Sequence, residues 1–177
     1  MAPKRKTGYY DSRADDIRFG RILDACWSYL REHDGRMDEH VVLNTYARII
    51  GTLLYEMTPL HSGLISAECV QLRIKNGHSK KTNEHFMGRQ KGGDECLKHV
   101  SSTMSVDPVA IKAIVDEYRQ VHYTSAEENT KLKYTIDSIP GLEDDWKLAY
   151  RTVGIRLGTY VPNLRAHKYD LNTFRLP

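Results

Sequence analysis

Apolar residues recur along the chain with helical spacing over most of its length. Between Asp15 and Leu30, Phe19, Ile22, Leu23, Cys26, Trp27 and Leu30 fall on one stripe, which predicts an amphipathic helix with Cys26 and Trp27 in the core. Asp15 and Asp16 lie where the helix N-terminus favours acids. A second helix is predicted from Glu39 to Met57, with Val42, Thr45, Ile49, Leu53 and Met57 on one side and Pro59 beyond its end. Asp34-Gly35 reads as the turn of a helical pair.

The next stretch is ambiguous. Val70, Leu72 and Ile74 alternate with Gln71, Arg73 and Lys75, the two-residue period of a half-buried strand, and Asn76-Gly77 would turn it. A helix over 66–75 fits nearly as well. Helices are predicted from Gly93 to Met104 and from Pro108 to Gln120, the second capped by Asp107 and carrying Ile111, Ile114, Val115 and Tyr118 inward. Val121 to Thr124 is a short β-type run. Ser125 and Glu128 form a capping box for a helix that carries Asn129, Leu132 and Ile136 and stops at Pro140-Gly141. A last helix is predicted over 142–153. Residues 154–177 look irregular, and no internal repeat stands out.

These elements predict an α+β fold, predominantly helical. Residues 1–12 read as a flexible basic tail and 13–177 as a single domain. Within it, 13–60 is the helical pair and 61–153 holds two short β segments separated by a helical insertion. A chain of 177 residues is long enough to bury a core of its own. No apolar run approaches the roughly 20 residues that cross a bilayer, and the opening Met-Ala-Pro-Lys-Arg-Lys has no apolar segment behind it, unlike a secretory signal. Cys26, Cys69 and Cys96 form an odd set without disulfide spacing, which suits a reducing, cytoplasmic setting.

Charge changes the picture locally. The net charge is only +3, yet Gln71 to Gly93 holds Arg73, Lys75, Lys80, Lys81, Arg89 and Lys91 against the single acid Glu84. That stretch is therefore +5 and the remainder −2. A basic surface with one reactive point inside it suits a phosphate polymer.

Glu84 and His85 are adjacent, and Arg89 follows. At a strand end, neighbouring side chains point to opposite faces, so one could hold a divalent cation while the other addresses a phosphodiester. A neutral imidazole, with an ordinary pKa near 6.5, can take a proton from water. A carboxylate and an amide suit a hard ion such as magnesium.

The run Glu84-His85-Phe86-Met87-Gly88-Arg89, with Val121 to Leu132 as second strand and helix start, resembles the HNH, or ββα-metal, nuclease family, in the small form found in phages and mobile elements. The resemblance implies metal-dependent endonuclease cleavage of DNA, with His85 as general base, Glu84 and Asn129 as metal ligands and Arg89 clamping a phosphate; the basic stretch itself offers Arg73, Lys75, Lys80, Lys81, Arg89 and Lys91 as nucleic-acid contacts. The cofactor would be magnesium, or manganese in its place, and the setting the cytoplasm, a host's if the gene is a phage's. The family usually carries Asp or His where Glu84 stands, and its half-motifs lie closer than the forty or so residues between these.

Other readings stay open. His85 can be an ordinary surface histidine, Asn129 a plain first-turn polar residue, and His122 a structural residue or substrate contact. The chain could be a non-catalytic nucleic-acid-binding module, or a small protein whose basic patch meets an acidic partner. Cys69, His78, Cys96 and His99 could form a structural zinc site, though without a CxxC half. No P-loop, GxGxxG, GxSxG or HExxH pattern occurs.

Overall fold

The computed structural model describes residues 12–32, 39–77, 82–84, 88–142 and 145–177. The expected basic tail, the Asp34-Gly35 turn, His78, Lys80, Lys81 and His85 lie outside the described residues. The fold is α+β and predominantly helical. The chain divides into two compact units that interleave in sequence: Met1–Thr58 with Arg89–Arg119, and Pro59–Gly88 with Gln120–Pro177.

The first unit is helical. It contains α1 (Ser12–Glu32), α2 (Glu39–Glu56), α4 (Arg89–Thr103) and α5 (Pro108–Tyr118), while α3 (Ala67–Asn76) belongs to the second. Helices α1 and α2 pack together as expected, but the principal partner of α2 is α4. Gly92 and Gly93 make that approach possible. A Cβ on Gly93 would lie 2.2 Å from the Ala47 carbonyl oxygen, and one on Gly92 would meet Leu54 and Tyr118 at 2.8 Å. The Gly-Gly pair is thus a helix-packing device in the first turns of α4.

Both N-terminal stripes are rotated from their expected faces. On α1 the buried positions are Asp15, Ile22, Ala25, Cys26 and Tyr29, whereas Trp27 is 48% exposed. Two polar anchors set this rotation. The Arg119 Nη2 donates to Asp15 at 2.8 Å inside the unit, and the Arg119 Nε donates to the Thr58 carbonyl at 2.9 Å. At the other end the Tyr29 and Ser101 hydroxyls share a 3.0 Å hydrogen bond. Periodicity counts apolar side chains only, so it placed Trp27 inside and Asp15 outside. On α2, Ala47, Ile50 and Leu54 are buried, while Thr45 and Ile49 are exposed, because the close approach to α4 is made at Ala47.

The second unit is built on a four-stranded sheet in the order β2-β3-β1-β4, comprising β1 (Leu60–Ser66), β2 (Thr82–Glu84), β3 (Gln120–Thr124) and β4 (Leu157–Thr159). Strands β1 and β3 run parallel; β2 and β4 join antiparallel at the two edges. The β1–β3 register shifts between His61 and Ile65, where Gly63 adopts φ 81°, a conformation that favours glycine. One face is covered by α6 (Ala126–Ser138) and α7 (Trp146–Val153) through Leu132, Tyr150 and Ile155. The other packs on α3 and the C-terminal segment through Val70 and Phe174.

Residues 70–74 are helical and not a strand. Ser66 caps α3 by accepting from the Cys69 amide at 3.1 Å, and Gly77 ends it with φ 68°. A capped β1-to-α3 junction outweighs the alternation of five residues. The C-terminal segment is also more ordered than its pattern suggests. It supplies β4, a bridge between Leu157 and Arg175, and Phe174, which is 2% exposed.

The tripeptide Ser-Ala-Glu stands at both strand-to-helix junctions, 66–68 and 125–127, a recurrence too short for a repeat search to notice. The two junctions are tied to each other. The Ser66 hydroxyl donates to Glu128 of α6, and the Ser125 hydroxyl donates to Glu68 of α3 at 3.0 Å.

Candidate active site

The resemblance requires an acid at a strand end, a second strand beside it and a helix directly after that strand. In the second unit Glu84 is the last residue of β2, and β2 pairs antiparallel with β3. Ser125 then starts α6 with both halves of the expected capping box, and α6 packs against β2. The helices between the two strands, α4 and α5, belong to the other unit.

Glu84 lies directly opposite His122 in the ladder, so their side chains share one face of the sheet. His122 is 1% exposed, and its Nδ1 shares a 2.6 Å hydrogen bond with Ser62 Oγ of β1. Its ring lies 5.1 Å from that of Trp146 and 5.6 Å from that of Tyr150. Burial, with His61 adding, pushes the His122 imidazole down to about 4. It is therefore neutral near pH 7 and built into the sheet, in keeping with the structural role weighed for it.

Burial raises the Glu84 carboxyl to about 7. The Tyr150 phenol is raised too, first by burial and then by the nearby Glu84 and Glu128 carboxylates. The Tyr150 hydroxyl is buried and has no hydrogen-bond partner among the described residues. Glu128 is likewise raised, by burial, against the hydrogen bonds it accepts. The Glu84 and Glu128 carboxyl groups both act on the Tyr150 phenol, and no cationic side chain is among the causes of the three shifts. Asn129 follows Glu128 on α6 and is half-buried.

A bound divalent ion stabilises a carboxylate that burial otherwise protonates, and Glu84 with the Asn129 amide would offer it oxygen ligands. Among the described residues no group of three or more His, Cys, Asp or Glu is arranged for a metal.

The remaining candidates are dispersed. Arg73 and Lys75 stand in the last turn of α3 in the second unit. Arg89 and Lys91 open α4 in the first, where Lys91 is half-buried. Of the suggested zinc set, Cys69 is buried in the core beside β1, Cys96 is buried on α4, and His99 is on α4. Sequence reading missed Ser62, Trp146 and Tyr150, which only pairing and packing bring to His122. A Ser and a Tyr at those positions carry no motif by themselves.

Compared with protein-family models, curated proteins and solved structures, the chain finds no match. No described helix is long and apolar enough to cross a membrane.

Proposed function

We propose that the chain is a metal-dependent endonuclease that hydrolyses DNA phosphodiesters, acting in the cytoplasm. One observation carries this reading: a half-buried carboxyl group, Glu84, ends a strand whose antiparallel neighbour leads straight into a helix that packs back on it. Glu84 and Asn129 would hold the cation, magnesium or manganese. When bound, it would lower the cost of charge on the phosphate and on the leaving oxygen. His85, next in the chain after Glu84, would take a proton from the attacking water.

Plasmid cleavage tests this reading. Supercoiled DNA should be cut with magnesium and left intact with excess chelator. His85→Ala should lower cleavage by about 100-fold or more, the usual contribution of a general base, with DNA binding unchanged. Glu84→Gln should raise the magnesium concentration required. A protein that binds DNA but never cuts it with magnesium or manganese is a binding module, and the nuclease reading falls.

A further inference from the structure

The geometry points to a second phosphate site in the second unit, remote from Glu84, that grips the backbone of a nucleic-acid strand through Arg73 and Arg165. A cavity of about 620 Å³ lies between the end of α3 and the segment after β4, within the roughly 300–1,000 Å³ of small-ligand sites. Arg73, Arg165 and His167 line it, Asn163 adds an amide, and among the described residues no carboxylate side chain lines it. Ile74 and Leu164 form apolar wall. Two guanidinium forks with no carboxylate beside them among the described residues suit an anion, and the planar fork matches phosphate oxygens. The apolar wall suits the sugar or base attached to such a phosphate. A cation near a helix C-terminus is commonplace and would account for Arg73 alone. It does not account for Arg165 and His167, which come from a different segment.

That segment is held in shape. Val161-Pro162-Asn163-Leu164 forms a tight turn closed by the Leu164 amide on the Val161 carbonyl at 3.2 Å, with Asn163 at φ 66°. Proline second and a positive φ third are the marks of a type II turn. The Tyr169 hydroxyl clamps Val161 from both sides, accepting from its amide at 3.1 Å and donating to its carbonyl at 3.2 Å. The Tyr160 amide donates to the Gly63 carbonyl at 2.7 Å, fixing the other end to β1. Arg165 is thus presented from a preformed rim, which reduces the ordering cost of binding.

The site lies at the β4 edge of the sheet, and Glu84 is on β2 at the opposite edge. Three strand spacings separate those edges, about 14 Å, or about four steps at the ~3.4 Å rise of a DNA strand. This inference rests on the nucleic-acid part of the proposed function and not on cleavage.

Fluorescence anisotropy of a labelled DNA oligonucleotide, in chelator so that nothing is cut, tests it. Arg165→Ala should weaken binding about fivefold to tenfold and lower the log–log salt slope by about 1, the signature of one lost phosphate contact. Arg73→Ala with Arg165→Ala should lower the slope by about 2. Arg165 is exposed, so its substitution leaves folding intact, and Arg73→Lys serves if the alanine variant misfolds. Unchanged affinity and slope in the Arg165 variant overturn the inference, as does an absence of DNA binding by the unaltered protein. In parallel, inorganic phosphate and a deoxynucleoside 5′-monophosphate are titrated while the His167 ring is followed by NMR. A ring shift with DNA, abolished in the double arginine variant, supports a strand-backbone site. A shift with free phosphate and none with DNA assigns the site to small phosphates and overturns the strand reading. If His85→Ala cuts as well as the unaltered protein while the arginine effects persist, the catalytic assignment fails and this site stands.

Discussion

Ser66, the cap of α3, donates its hydroxyl to Glu128, the third residue of α6. The same carboxylate accepts from the Ser125 amide at 2.9 Å. Ser125, in turn, accepts from the Glu128 amide at 3.0 Å and donates to Glu68 of α3 at 3.0 Å. Each helix start therefore helps cap the other, and the parallel strands β1 and β3 are locked at the end where their helices begin.

That lock predicts a large effect at Glu128. Glu128→Ala removes an acceptor from two buried donors, each costing about 1–3 kcal/mol when left unsatisfied. The loss should be about 2–4 kcal/mol, read as a lower urea midpoint at unchanged slope. Glu128→Gln keeps one carbonyl acceptor and should cost less than half as much. If alanine and glutamine cost the same, the carboxylate is not the tie between the junctions.

Gly93→Ala should be more damaging than an alanine in a helix usually is. Alanine gains about 1 kcal/mol over glycine in helix propensity, so an uncrowded site would be stabilised. Here the new Cβ would sit 2.2 Å from a backbone oxygen of Ala47, and α2 cannot yield without opening the unit. Overpacking costs typically about 1–3 kcal/mol and occasionally more, so a net loss of about 2 kcal/mol or greater is expected in thermal unfolding. Gly20→Ala, with nothing within 4 Å of its Cβ, is the control and should be neutral or stabilising.

These two cases show what the chain's pattern could reveal. Helices with caps announced themselves: Asp107 before Pro108, and Ser125 with Glu128, sit at the expected ends of α5 and α6. Of the strand pair around Glu84 and His122, only the run Val121–Thr124 was legible, while the alternation at Val70–Ile74 pointed to a strand where α3 stands, since pairing across some forty residues leaves no local periodicity. Gly92-Gly93 read as the end of a basic stretch, because close helix approach is a property of two segments and not of one. The faces of α1 and α2 were misjudged for the same reason. Asp15 is inside because Arg119, far along the chain, is there to meet it. The basic rim at Arg165 and His167 was missed because an irregular segment has no period from which to read a face.

The Asp15–Arg119 pair predicts an asymmetry between single and double substitutions. Both side chains are almost fully buried. Asp15→Ala leaves the buried guanidinium with the Thr58 carbonyl and the looser 3.6 Å approach of Asp116, so the loss should be at the lower end of the about 3–5 kcal/mol of a broken buried pair. Replacing both, Asp15→Leu with Arg119→Met, removes the charges together and should recover most of that loss. A double-mutant cycle by urea unfolding checks it; additive losses would mean the two groups do not depend on each other.

The last prediction concerns pH and the sheet beneath the candidate site. His122 is held neutral, with a folded value of about 4 against an ordinary 6.5. Ser62 bonds it from β1, His61 of the same strand acts on it only through its charge while its ring packs on Tyr123, Glu84 stands opposite on β2, and Trp146 and Tyr150 approach from α7. The unfolded chain binds the proton more readily than the folded one. The contribution to stability is therefore full above about pH 6.5 and is lost as pH falls from there towards 4. At about 1.4 kcal/mol per pH unit, the loss approaches about 3 kcal/mol by pH 4. Glu84 opposes part of this trend, since its raised carboxyl favours the folded state as pH falls through 7. Urea midpoints in chelator, measured from pH 7.5 to 4.5, should fall less steeply in His122→Gln than in the unaltered protein, while Glu84→Gln should fall more steeply. Parallel curves for all three proteins would mean that neither group changes its proton affinity on folding, and that burial does not shift either of them.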